Sequence, residues 1–287
     1  MAVSSFISST VAALGLLAVA IQAPQRAAAA TILGSAESFS VLGATTVTNT
    51  GATTLVGNLG LYPGTSITDL GTISLTGTTD DTDAAALAAQ SAATAAYNVL
   101  ATQSPTVNLS GQNLGGLTLT PGFYNYNGSA QLTGTLVLNF AGLSNTEFVF
   151  QIASMLTTAS ASAITVEGGN STDGIFFDVG SSATLGSGTV FAGNILAETS
   201  ISFDSTAEIL CGRAIALTGA VTMIGNTVTN TCAGAGAGGY SGGPLSAPEP
   251  ATFAILGSAL VGLFGFAMRR RQGQAALYRG TPVPRVS

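Results

Sequence analysis

The chain has 287 residues, of which 46% are hydrophobic and only 7% charged, with a formal net charge of −6 and neither Lys nor His. The absence of His removes an imidazole base, a His metal ligand and a Ser-His-Asp triad, and the absence of Lys removes a Schiff base and a P-loop lysine. Residues 31–246 hold a single basic side chain, Arg213, so they cannot neutralise phosphates and no nucleic-acid partner is expected, while the apolar content argues against a disordered chain.

The first element in chain order is an apolar run over residues 5–21 that closes on Ala27-Ala28-Ala29-Ala30. Small residues after such a run mark a secretory leader, so residues 1–30 are expected to be a signal peptide, with the mature chain starting near Thr31.

From Thr31 to Cys232 the pattern is period two, cut by Gly, Ser and Asn: TTVTN (45–49), LTLT (117–120), LVLNF (136–140), FVFQI (148–152), ISF (201–203) and TVT (227–229). Alternation over such short runs predicts strands with one buried and one outer face. The breaks lack Asn-Gly hairpin signals, which favours the coils of a parallel β-helix over a sandwich. One segment departs from this period. After Asp80, Asp81 and Asp83 comes AAALAAQSAATAAYNVLATQ (84–103), halted by Ser104-Pro105. Alanine is the best helix former, the acidic residues cap the start, and proline stops the end. Ala86, Ala89, Ala93, Tyr97 and Leu100 share one face of this helix, with Gln90, Ser91, Thr94 and Asn98 opposite.

The remaining carboxylate clusters, Asp173 and Asp178 and then Glu198, Asp204 and Glu208, read as solvated turn charges. They lack the paired acid and base of a glycosidase, and no calcium-solenoid repeat occurs, so no enzyme activity, catalytic residue, metal or cofactor is expected. Cys211 and Cys232 lie 21 residues apart, about one coil, and equivalent positions on adjacent coils are ~4.8 Å apart. That spacing predicts a disulfide, consistent with an oxidising compartment.

The Gly-rich stretch AGAGAGGYSGGP opens a linker over residues 234–247. Then come Pro248-Glu249-Pro250, an uncharged apolar span (251–268) and Arg269-Arg270-Arg271. Eighteen such residues are about enough to form a transmembrane helix, and the arginines would keep their side, with the tail 272–287, in the cytoplasm. In that order the three parts of segment 248–271 resemble a PEP-CTERM sorting signal. The resemblance implies recognition by an exosortase-type sorting machinery and export to the cell envelope, cell surface or extracellular space.

The blocks ILGSAESFSVLGATTVTNTG (32–51), GNLGLYPGTSITDL (57–70), the alanine helix, LGGLTLTPGFYNY (114–126), FVFQIASMLTTASAS (148–162), VGSSATLGSGTVFAGNILAETSI (179–201) and CGRAIALTGAVTM (211–223) occur in a fixed order. Together they resemble the DUF3494 ice-binding protein family over residues 31–233. The resemblance implies a mainly β fold, an irregular right-handed parallel β-helix (β-solenoid) with one long α-helix packed alongside. It also implies adsorption to ice, or an ordered water surface, through one flat sheet face rich in Thr and Ser. The family's Thr-Gly/Ala-x-Thr/Asn pattern occurs at 50–53 and 76–79, where loops are expected. Period two places Val47, Leu117, Leu119, Leu156, Leu185 and Val228 inside, which leaves Thr46, Thr48, Thr118, Thr120, Thr157, Thr184, Thr227 and Thr229 as the ice-binding candidates. The alternative is an extracellular matrix or adhesion protein on the same scaffold, with a polysaccharide as partner.

Overall fold

A computed structural model describes residues 31–69, 72–232 and 239–242. The expected leader, the sorting motif and the tail lie outside the described residues. Within them the alternating runs form 22 short strands, and every strand pairing between them is parallel. They make a seven-stranded and a 15-stranded sheet.

The larger sheet is bent into two wings. Its two longest strands, Val190–Ala197 and Glu208–Ala216, pair with each other through a register shift between Ala192 and Asn194. Before the shift, Val190 pairs with Ala163; after it, residues 194–197 pair with residues 176–179. One strand therefore serves two sides of a solenoid. Gly193 makes the corner possible: its φ is +110°, and a Cβ there would lie 2.4 Å from Ile175 Cγ2. The seven-stranded sheet is the third side.

Coils do not stack in chain order. Val41 pairs with Ala214, Val47 with Val221 and Leu55 with Val228, so the first coil sits on the last one. The second coil covers the first, and the chain must then travel back to begin the rest at Val107–Asn108. The helix, Ala84–Ala101, makes that return. Its 18 residues span ~27 Å, close to the ~29 Å across seven strands.

The helix begins where expected: Asp83 Oδ1 accepts from the Ala86 N–H at 2.9 Å. It ends two residues early, because the Thr102 and Gln103 N–H groups turn onto Val99 and Leu100. Ala86, Ala89, Ala93, Ala96 and Leu100 are buried, the last four against Phe39, Leu42, Val149, Phe176, Leu196 and Ile215 of one wing. Small side chains let the helix lie close to that wing. Gln90 is a correction to the sequence reading: it is buried, and its Nε2 donates to the Ala216 carbonyl at 2.9 Å. Inside the solenoid, Tyr124, Phe150, Phe177 and Phe191 follow one another with centroids 4.6–5.2 Å apart. Such contacts add to the burial of large rings.

Three other expectations change. Cys211 and Cys232 are free thiols in this structure, with side chains close enough to influence each other. The pairing at this coil is Leu210 with Thr229, an offset of 19 residues, so cysteines 21 apart are not equivalent positions. Cys211 is also turned aside by a φ of 66°. Asp173 and Asp178 are buried rather than solvated. Asp173 caps a turn, accepting from Thr146 N at 3.1 Å and Asn170 N at 2.9 Å. Finally, Tyr240, within the stretch read as a linker, is buried and stacks on Phe140 with centroids 5.8 Å apart.

Candidate functional site: the seven-stranded face

The seven-stranded sheet runs in the order Ala130–Leu132, Leu156–Thr158, Ala183–Leu185, Ile201–Phe203, Val221–Ile224, Thr46–Thr50 and Ser66–Thr68. Most of these strands read apolar, polar, apolar at their centre. The apolar pair enters the core and the middle residue faces out. Register then aligns the middle residues of all seven strands in one row: Gln131, Thr157, Thr184, Ser202, Thr222, Thr48 and Thr68. None of these pairings contains a bulge, unlike the corner of the larger sheet. The row is therefore evenly spaced at ~4.8 Å.

Two residues before each of these comes a second outer row, Ser129, Met155, Ser182, Ser200, Ala220, Thr46 and Ser66, of which Thr46 and Ser66 lie within strands and pair while the rest precede theirs. Neither row contains a charged side chain. Among the described residues no hydroxyl of the middle row is spent on a protein hydrogen bond, so each is left to water. A β-branched Thr has few rotamers, which holds its methyl and hydroxyl at nearly fixed places.

The uncovered wing of the larger sheet is chemically different. There Thr227 stands between Glu208 and Thr54, and Thr229 between Leu210 and Val56. Thr229 Oγ1 is already engaged with Thr231 Oγ1 at 3.0 Å. The third side is closed by the helix.

The eight candidate Thr residues thus divide. Thr46, Thr48, Thr157 and Thr184 share the seven-stranded face. Thr118, Thr227 and Thr229 lie on the uncovered wing, where Thr118 pairs with Val137. Thr120 follows the strand Thr118–Leu119, and its carbonyl accepts from the Tyr124 hydroxyl. Sequence reasoning missed Thr68, Ser202, Thr222 and Gln131. Ser202, Thr222 and Gln131 are the polar centres of ISF, VTM and AQL, and Thr68 closes SIT; runs of three are too short to stand out alone. The motif copies at 50–53 and 76–79 fall at corners, where Thr53 Oγ1 turns inward to Asn49 Oδ1 at 2.7 Å.

Among the described residues there is no group of three or more His, Cys, Asp or Glu suited to a metal. No described helix is long and apolar enough to cross a membrane.

Comparison with known proteins points the same way. A family described as Ice-binding-like matches residues 41–229, and the PEP-CTERM protein-sorting motif matches residues 246–271. The latter stretch contains Pro248, Glu249, Pro250 and Arg269–271. An ice-binding protein of Nostoc sp. (strain HG1) is 47% identical over 256 residues, covering 88% of this chain and 92% of its own. One from Flavobacterium frigoris (strain PS1) is 35% identical, covering 69% and 75%. Among solved structures, an ice binding protein from an Antarctic biological consortium superposes with TM-score 0.66 at 44% identity, covering 69% of this chain and 90% of that one. The ice-binding protein of the Antarctic ascomycete Antarctomyces psychrotrophicus gives TM-score 0.66 at 34% identity, covering 71% and all of its own chain.

Proposed function

The chain belongs to the ice-binding-like family, and from that premise we propose that it is an exported protein that adsorbs to ice through its seven-stranded face. The observation that carries this reading is the unbroken row of hydroxyls centred on Ser202, Thr222 and Thr48. An evenly spaced, charge-free array of hydroxyls and methyls holds water in ordered positions that a growing ice surface shares. A charged side chain holds its own hydration shell and disrupts that order. The alternation of Thr with Glu208, Leu210 and Val56 therefore makes the uncovered wing the poorer face.

Export supplies the setting. The PEP-CTERM motif supports delivery through an exosortase-type machinery, with residues 251–268 as a membrane anchor and residues 1–30 as the leader. Ice outside the cell is then the partner. A matrix or adhesion role on the same scaffold becomes the reading if ice is not bound.

Paired substitutions on the two faces test this. Thr222→Tyr places bulk in the middle of the row and should abolish thermal hysteresis and inhibition of ice recrystallisation. Thr227→Tyr on the other wing should leave both intact. Each is partly exposed, so stability should change by about 0.5 kcal/mol or less. Activity that survives Thr222→Tyr but not Thr227→Tyr would move the site to the other wing. A wild-type protein without hysteresis would overturn the ice reading itself.

A further inference from the structure

Under the C-terminal half of the helix lies a pocket of about 360 Å³, on a different side of the solenoid from the hydroxyl row. Its walls include Tyr97 and Ala101 of the helix and Asn125, Gln151 and Asp178 of the wing beneath. The last three are consecutive in one ladder, Asn125 beside Gln151 and Gln151 beside Asp178. We propose that this pocket binds a small organic ammonium ion, with Asp178 as its counter-ion.

What each wall residue still has to offer is an acceptor. Asp178 is 4% exposed, and its Oδ1 has no hydrogen-bond partner. The Gln151 amide nitrogen is spent on the carbonyls of Leu100 and Gln103, both at 2.7 Å, which leaves its oxygen for the pocket. Asn125 Nδ2 donates to Asn127 Oδ1 at 2.9 Å. A second carboxylate, Glu198, follows the strand beside Asp178, and its N–H donates to the Val179 carbonyl at 2.8 Å.

Nothing cationic balances this. Arg213 is the one basic side chain among the described residues, and it is buried on Glu37 O and Asn194 Oδ1, each at 2.8 Å. An isolated buried carboxylate is costly unless a donor or a positive charge meets it. Burial and the charge of Glu198 accordingly push Asp178 up to about 7. Tyr97, the titratable group facing it from the helix, is pushed up to about 12 by burial and by both carboxylates.

An ammonium group supplies three N–H donors and a charge, and the Tyr97 ring adds a favourable wall for a cation. A metal ion fits less well, because its ligands would have to be gathered from more than these two carboxylates. The volume lies at the small end of ligand pockets and leaves ample room for a small organic ammonium ion.

The test uses the purified protein at pH 8 and follows its melting temperature against propylammonium chloride. Sodium chloride and 1-propanol at equal concentration are the controls. A saturable rise with propylammonium that neither control reproduces is expected, and Asp178→Asn should abolish it while leaving ice activity unchanged. Ala101→Trp, at an exposed position on the pocket wall, should also abolish the response without altering the carboxylate. It serves where Asp178→Asn does not fold. A response matched by either control, absent altogether, or retained in either variant overturns the proposal.

Discussion

Tyr240 offers a sharp test of where the folded domain ends. It lies beyond a Gly-rich stretch, yet it is 6% exposed and its ring stacks on Phe140 at 20° between planes. Its carbonyl accepts from Ile175 N at 3.1 Å and from Asn194 Nδ2 at 2.6 Å. Loss of a buried aromatic side chain costs about 3–5 kcal/mol when the surroundings stay in place. Here the segment can instead detach, which frees its backbone and limits the cost to the net strength of docking. The orphaned Ile175 N–H adds about 1–3 kcal/mol, while Asn194 keeps its bond to the Ile175 carbonyl at 3.0 Å. Detachment keeps the net loss below the cost with fixed surroundings, at roughly 2–3 kcal/mol, or about 4–12 °C in Tm for a domain of this size. Two chains measured by calorimetry suffice, one ending at residue 238 and one carrying Tyr240→Ala. Both should melt lower than wild type and close to each other, since an undocked segment and a missing one are equivalent. Gly169 gives an independent check: a Cβ there would lie 2.7 Å from the Tyr240 ring, so Gly169→Ala should lower Tm as well. Melting within about 1 °C of wild type in all three would refute the docking, given the conversion above.

Burial pushes Glu147 and Asp178 up to about 7, so both cost stability as pH rises from about 4, where the same groups ionise in the unfolded chain, through 7. Tm should fall over that window and Asp178→Asn should flatten the fall; a rising Tm contradicts the assignment. Phe177→Ala removes the middle of the aromatic stack and should cost about 3–5 kcal/mol, read by chemical denaturation. A cost below about 1 kcal/mol would mean the stack is not part of the stable core. Oxidation of the neighbouring Cys211 and Cys232 thiols should close a 21-residue loop and add up to about 3 kcal/mol, seen as a higher Tm after oxidation. An unchanged Tm after complete oxidation would show that the last coil is not where unfolding begins.

How much was legible in the sequence follows from what alternation encodes. Period two separates inside from outside, so Val47, Leu156, Leu185 and Val228 were readable as core and their Thr neighbours as outer. Helix chemistry is equally local: Asp83 at the cap, alanines along the buried side and the stop near Pro105 need no tertiary information. The sorting motif is likewise a linear signal. Alternation does not say which of three sides an outer residue faces, and that is why Thr227 and Thr48 looked alike. Only register between coils separates them, and register joins residues as distant as Val41 and Ala214. The same limit explains Gln90 and Asp178. Each is polar and was read as solvent-facing, but the helix lies over that wing and turns its outer side into a second interior. The face itself is a tertiary product: seven short strands, each too brief to stand out, become one surface because parallel coils stack without a bulge.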